Sequence, residues 1–381
     1  MVGGGVLGCM HAWEALERGH EVMHLEREAG ARGASVRNFG LVWVSGRAPG
    51  RELALALDAR ERWRRVAERV PGVGLRAGGS LTVARDDAEL AALERAAVLP
   101  DAAERGFRML APDVARQVNP ALGGELAGAL WCASDAVVEP RRVPSALVAA
   151  LTARGGYEWL PGREVVEVGD HAVRDASGQW HAGDLVVLCT GAAHGGVATA
   201  HLDRPPLRRV RLQMLQTAPH NQRFSTSVAD IDSLRYYPAY RGTGVDSLPD
   251  QPAPASLWRA QLLLVQRLDG SLTVGDTHAY DEPFGFDIEE EPYDHLRASA
   301  ERLLGTPLPG TARRWAGVYS ETTDGQPYHR SLVGDGLLLV TGPGGKGMTC
   351  SPAIAAETFD AVDVGDPASV RPADVAGTAT A

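Results

Sequence analysis

Three glycines near the start of the chain, Gly3, Gly5 and Gly8, have the GxGxxG spacing, and Glu26 follows at the tip of the apolar run Val22-Met23-His24-Leu25. Residues of these types at this spacing can hold a dinucleotide. Gly3 makes a tight strand-to-helix turn, Gly5 lets the backbone approach a pyrophosphate, and Gly8 permits close helix packing. The pyrophosphate rests on the helix N-terminus, where unpaired N–H groups and the helix dipole favour an anion. An acid about 20 residues further on accepts hydrogen bonds from the adenosine ribose. A lone GxGxxG is a weak signal. Here Leu7, Met10, Ala15 and Leu16 mark a helix that Gly19 stops, and the second strand ends in the acid. Two later stretches bring further backbone to such a ligand. The run Leu185 to Leu188 ends in Cys189-Thr190-Gly191, the pattern of a buried parallel strand delivering a glycine. The run Leu337 to Thr341 leads into Gly342-Pro343-Gly344-Gly345-Lys346-Gly347-Met348, after which Ser351 is expected to cap a helix with Pro352 at its first position.

The elements that position these loops follow from periodicity. Leu53, Leu57, Trp63, Val66 and Val70 predict a helix over 51–70, and Asp86 with Glu89 forms a capping-box pair opening another. Strands are expected at Gly79 to Val83 and Val165 to Val168, with a helix after Pro144. Residues 205–309 differ in texture: alternating strands at 261–267 and 271–275, and a concentration of Tyr236, Tyr237, Tyr240, Trp258, His278 and Tyr280. The expected fold class is α/β (α+β), a Rossmann-like nucleotide-binding domain with an inserted substrate domain of mixed or antiparallel sheet. The first comprises residues 1–76, 140–204 and 310–364, the second 77–139 and 205–309, and 365–381 is a frayed tail. Only Met1 and Val2 precede the first glycine, fewer than the roughly five residues of an ordinary strand, so the natural start is expected to lie upstream.

The 381 residues suffice for two cores. A formal charge of −10 argues against nucleic acid or an anionic membrane as a general partner. No apolar run approaches the roughly 20 residues of a membrane span, and no signal-peptide pattern precedes the glycine loop, so a cytoplasmic location is expected. Cys9, Cys132, Cys189 and Cys350 are too dispersed for a CxxC pair or a zinc site, and no metal is expected. Basic residues are strongly biased, with 37 arginines and one lysine, Lys346. A lone lysine in a glycine-rich loop is a candidate for a role arginine cannot fill.

Several of these pieces together resemble the D-amino-acid oxidase superfamily of FAD-dependent amine oxidoreductases, which includes glycine oxidase and sarcosine oxidase. They are Gly3 to Gly8 with Glu26, Gly33-Ala34-Ser35, Asp135 to Pro140, Leu188 to Gly191, Trp315-Ala316-Gly317 with Asp324 to Pro327, and Gly342 to Met348, in the family's order and over nearly the whole chain. The run Gly33 to Gly40 resembles more narrowly a bacterial subgroup associated with phosphonate catabolism. The resemblance implies noncovalent FAD held by Gly3, Gly5, Val6, Leu7, Gly8, Glu26, Arg27, Ala34, Ser35, Asn38, Val166, Thr190, Gly191, Gly317, Gly344, Gly345, Lys346, Gly347, Met348 and Thr349. It implies hydride transfer from the carbon bearing an amine to flavin N5, giving an imine that water hydrolyses to an aldehyde or oxoacid, with electrons passed to oxygen or another acceptor. His278 and Tyr319 match active-site positions of the family. The substrate it points to is a small anionic amine such as 2-aminoethylphosphonate or its N-methyl form. Where sarcosine oxidases carry an oxygen-activating lysine this chain has Thr273, and where they bind flavin through a cysteine it has Gly317.

An anionic substrate needs a cation, and arginine's fork suits a carboxylate or phosphonate. Arg37 is the preferred candidate, with Arg208, Arg209, Arg211 and Lys346 behind it. Other readings remain open: a glycine, sarcosine or D-amino-acid oxidase, an FAD-dependent monooxygenase using NAD(P)H, or a nonenzymatic FAD-binding module. A disulfide-reductase type would need a second GxGxxG and a cysteine pair, which the sequence lacks. The chain is expected to be a monomer or homodimer.

Overall fold

The computed structural model describes residues 1–198 and 206–363, so the tail expected over 365–381 lies outside the described residues. Two sheets organise the chain in the expected mixed α/β class. The first is parallel except at one edge. Its order is Tyr157–Pro161, Val22–Glu26, the single residue Val2, Val186–Leu188, Leu337–Thr341 and the antiparallel His329–Gly334. Val2 bridges both Leu25 and Leu188, donating from its N–H to Val187 O at 2.9 Å and accepting at its carbonyl from Cys189 N at 2.8 Å. The glycine turn that follows therefore opens at the centre of the sheet, at the C-terminal ends of its parallel strands, where ligands of open α/β sheets bind. A three-stranded meander, Val165–Gly169, Ala172–Asp175 and Trp180–Ala182, stands beside it.

Helices Val6–Glu17, Arg51–Arg69, Val143–Arg154 and Gly347–Asp363 cover one face. Their apolar stripes supply Met10, Trp13, Trp63, Val66, Leu147, Leu151 and Phe359 to one cluster. The last of these helices corrects the sequence reading. It begins at Gly347, four residues before the expected cap, so Ser351 and Pro352 lie inside it. Proline has no N–H to give the carbonyl four residues earlier, which is Met348 O. The indole N–H of Trp63 supplies the missing donor at 2.9 Å, and Ser351 Oγ donates to Gly347 O at 2.5 Å. A long-range side chain thus repairs the break that the local sequence signals.

The second sheet has eight strands in the order Thr311–Thr322, Leu207–Pro219, Ser271–Gly275, Leu263–Gln266, Ser227–Asp230, Ser80–Ala84, Gly128–Cys132 and Phe107–Leu110. Only Ser227–Asp230 with Ser80–Ala84 runs parallel. Thr311–Thr322 pairs with Leu207–Pro219 along nearly its whole length. The boundary expected at residue 310 thus falls just before a strand of the large sheet.

Asp135 ties the two halves together. Its fully buried carboxylate accepts from Val44 N (2.5 Å), Ser45 N (3.0 Å) and Ser80 Oγ (2.6 Å), fixing the loop after Leu41–Val42 onto the large sheet. Burial raises its pKa against the pull of these donors. Asp135→Ala leaves three buried donors unpaired, each costing about 1–3 kcal/mol. Urea unfolding should show a midpoint well below wild type, and an unchanged midpoint would remove Asp135 as the tie.

Candidate functional site

Close backbone approach dictates the glycines of the first turn. A Cβ at Gly3, which has φ +101°, would sit 2.3 Å from Cys189 O, and one at Gly8 would sit 1.9 Å from Gly3 O. Helix Val6–Glu17 can enter the sheet at this distance only without side chains there. Glu26 accepts from Gly4 N at 2.6 Å and from Glu28 N at 3.0 Å. A carboxylate has about four lone-pair sites, so it keeps capacity for ribose hydroxyls. Ser35 Oγ, from the turn Ala34–Val36, accepts from Val6 N at 2.9 Å.

These residues line one end of a continuous cavity of about 1390 Å³. That exceeds the roughly 300–1,000 Å³ of common ligand pockets and leaves room for a long cofactor with a second small molecule. Of the residues expected to hold FAD, Gly3, Gly5, Val6, Leu7, Glu26, Arg27, Ala34, Ser35, Asn38, Thr190, Gly191, Gly317 and Gly344 to Met348 line it. Three do not. Gly8 serves helix packing instead. Val166 is half exposed, and its neighbour Val165 lines the cavity. Thr349 is buried as a clamp, its Oγ1 accepting from Trp43 N (2.9 Å) and donating to Leu41 O (3.2 Å). Asn38 is a staple too: Nδ2 donates to Ala34 O and Ser35 O, and Oδ1 accepts from Gly40 N.

At the other end stand aromatic and ionisable groups from the large sheet and its turns. Tyr319 pairs with Val210 in the strand ladder, and its hydroxyl lies 3.3 Å from Tyr236 Oη. A Cβ at Gly345 would be 4.0 Å from both hydroxyls, so the Gly344–Lys346 turn passes directly beneath them. Burial raises both tyrosines' pKa, so they present neutral hydroxyls. His278 stacks on Tyr236 with ring centres 4.4 Å apart. Its Nδ1 lies 3.2 Å from Arg259 O, an atom that can only accept, so this nitrogen carries the proton. Burial lowers the His278 pKa to about 4, leaving a neutral ring.

The candidate cations have different surroundings. Lys346 Nζ pairs with Glu52 Oε2 at 3.4 Å, and Arg47, nearly buried, flanks the same carboxylate at 3.8 Å. Arg37 Nη1 donates to Ala316 O at 2.9 Å, and Arg37 O accepts from Trp315 Nε1. Arg208 pairs with Glu321 at 2.6 Å, Arg209 with Glu282, and Arg211 donates to Asp287 O. Sequence reasoning missed Arg259. Its guanidinium lies 4.8 Å from the Tyr280 ring centre, and among the described residues it makes no ion pair. Its sequence signal is slight: it is one arginine among 37, and its own left-handed conformation (φ 47°) at the end of the helix Ala253–Trp258 has no mark in the sequence.

All four cysteines are buried and free. Burial pushes the Cys189 thiol up to about 12 and Cys350 to about 11, and raises Cys9 and Cys132 as well. None is a nucleophile at neutral pH. No helix of the described residues is long and apolar enough to cross a membrane.

The glycine approach, the acid of Glu26 beside it and the volume of the cavity fit FAD. The fold is similar to that of glycine oxidase from Geobacillus kaustophilus (21% identity, 96% of this chain, 94% of that one, TM-score 0.76). It is similar also to L-proline dehydrogenase from P. horikoshii (20% identity, 96% and 92%, TM-score 0.75). Iminodiacetate oxidase from Chelativorans sp. BNC1 is a third neighbour (17% identity, 98% and 96%, TM-score 0.75). An opine oxidase subunit from Rhizobium meliloti is 30% identical over 168 residues, 41% of this chain and 45% of that protein, so the match spans about half of the relative's length. Residues 1–361 match the family model for FAD dependent oxidoreductases, DAO. The chain belongs to the DAO family of FAD-dependent oxidoreductases.

Proposed function

We propose that the protein oxidises the C–N bond of a small anionic amine. The observation that carries this reading is the continuity of the cavity: the Gly3 to Glu26 end, suited to the nucleotide, opens without interruption into the pocket of Tyr236, Tyr319, His278 and Arg259. When bound, FAD supplies the acceptor for a hydride from the carbon bearing the nitrogen. The chain's own residues orient the substrate and exclude water. Helix Gly347–Asp363 directs its N-terminus at the cavity, where its dipole favours the negative charge that reduction brings. Lys346, held by Glu52, adds a full charge beside it. The neutral Tyr236 and Tyr319 hydroxyls and the neutral His278 ring line the pocket around the amine. Arg259 is placed to receive the substrate's oxyanion, and Arg37, tethered to Ala316, lines the cavity as the second candidate. FAD binding is noncovalent in this reading, because Gly317 offers no thiol and the buried cysteines stay protonated.

The names of the structural neighbours, an oxidase of glycine, a dehydrogenase of L-proline and an oxidase of iminodiacetate, support an amine or imino acid. The resemblance of Gly33 to Gly40 supports an aminophosphonate. The purified yellow protein, mixed without oxygen, should bleach with 2-aminoethylphosphonate faster than with glycine, sarcosine, D-alanine or iminodiacetate. Faster bleaching by the amino acids would return the substrate to an amino acid, and bleaching by NADPH alone would indicate a monooxygenase. Denaturation should release all the colour from the precipitated chain; retained colour would contradict noncovalent binding.

Glu26→Ala removes charge-assisted hydrogen bonds worth about 1.5–3 kcal/mol each, so the FAD Kd should rise roughly ten- to hundredfold. An unchanged Kd would take Glu26 out of the site. Lys346→Met should slow anaerobic flavin reduction by a similar factor, again roughly ten- to hundredfold. Stopped-flow measurement of both half-reactions checks this: loss confined to reoxidation by oxygen would assign the lysine to oxygen activation, and wild-type rates in both would remove it from the mechanism.

A further inference from the structure

Asp276 follows the strand Ser271–Gly275, is only 6% exposed and lines the cavity beside His278. Its backbone carbonyl is used, accepting from Gln261 N at 2.8 Å. Its side chain is not: among the described residues Oδ1 has no hydrogen-bond partner, and neither does the Nε2 of Gln261, which is also buried and lines the same cavity. The nearest ionisable group offers no donor. His278 Nε2 is 4.0 Å from Asp276 Oδ2, and because Nδ1 carries the proton toward Arg259 O, Nε2 presents a lone pair. A buried carboxyl facing a lone pair and an empty hydrogen-bond position lacks a donor that the chain does not provide, and such orphaned groups are rare in native interiors.

We propose that Asp276 receives the substrate's nitrogen and takes a proton from it, the substrate being an amine that carries an oxyanion. This rests on the amine-oxidation reading above. The ammonium supplies the missing N–H donor to Oδ1, and the amide of Gln261 supplies a donor to an acceptor oxygen of the substrate. In the step itself, one N–H bond of the ammonium breaks and an O–H bond forms at Asp276 Oδ1. The nitrogen keeps the electron pair, and a cation with an anion becomes a neutral amine beside a neutral acid. A dry site favours that neutral pair over the separated charges. The amine must hold its electron pair before the adjacent C–H bond can give up its hydride, so the transfer readies the substrate.

Desolvation lifts the Asp276 pKa to about 8. The groups facing it are neutral: His278 on its own segment, and Tyr237 just after the turn Ile231–Tyr236, whose pKa burial raises. Among the described residues no fixed cation holds the carboxylate ionised, so the arriving ammonium is its counter-charge.

The test is anaerobic flavin reduction by wild-type and Asp276→Asn holoenzymes, across pH 6 to 10, with the amine of the panel above that bleaches wild type fastest. The variant should be slower by about a hundredfold or more at pH 7 and recover toward pH 10, where the free amine is supplied by solution. Equal rates, or a loss of the same size at every pH, would overturn the assignment while leaving amine oxidation standing. A wild-type flavin that no amine bleaches would overturn both. A second measurement needs neither FAD nor substrate. An acid whose folded pKa is raised contributes stability below the ordinary carboxylate range and loses it as pH rises toward 8. Asp230, raised to about 7, titrates in both proteins and cancels in the difference. Wild type should therefore lose stability relative to Asp276→Asn between pH 4 and 8, and parallel curves would show that the Asp276 carboxylate lacks the raised proton affinity the assignment requires.

Discussion

The contact on which the rest of the structure depends is the crossing of the first turn with the central sheet. With a Cβ at Gly8 1.9 Å from Gly3 O, and one at Gly3 2.3 Å from Cys189 O, no side chain at either position is compatible with the observed packing. That approach puts the start of helix Val6–Glu17, the positive end of its dipole, at the ends of the parallel strands. Val2 holds the turn in place by bridging strands on both sides. The nucleotide end of the cavity is lined where these backbones meet, by Val2, Gly3 and Cys189.

The other end of the cavity is built by different physics. Side chains from the large sheet and its turns are packed against one another, and burial keeps them uncharged: the tyrosines retain their protons, His278 stays neutral and Asp276 is pushed toward its acid form. Charge is held at the margins, on Lys346 with Glu52, on Arg208 with Glu321 and on the guanidinium of Arg259 against Tyr280. A neutral centre between charged margins suits a reaction that requires a neutral amine, an oriented anion and stabilisation of an electron-rich ring.

Much of the nucleotide half was legible because its constraints are local. The glycine spacing, the acid-tipped strand and the amphipathic helix now seen at Arg51–Arg69 are all fixed by residues close in sequence. The misreadings arise where the deciding partner is distant. Pro352 reads as a helix start unless Trp63 is known to satisfy Met348 O. The bonds from Thr349 Oγ1 to Trp43 and Leu41 likewise link residues 306 and 308 positions apart and have no local signature. Which of Val165 and Val166 lines the cavity is a matter of strand parity, which a run of valines does not specify. The large sheet's order, with one parallel pair among antiparallel neighbours, has no local signature, and neither does Asp276: an aspartate after a glycine reads as a turn until its burial is known.

The most direct test of the central claim, that one continuous cavity holds FAD with its reactive ring against the substrate pocket, is a crystal structure of the FAD-loaded protein. The adenosine ribose should lie at Glu26, the pyrophosphate at Gly3 to Val6 and the ring between the Gly344–Lys346 turn and Tyr236 with Tyr319. FAD density directed away from Gly345, or a ring sealed off from His278 and Asp276, would contradict it.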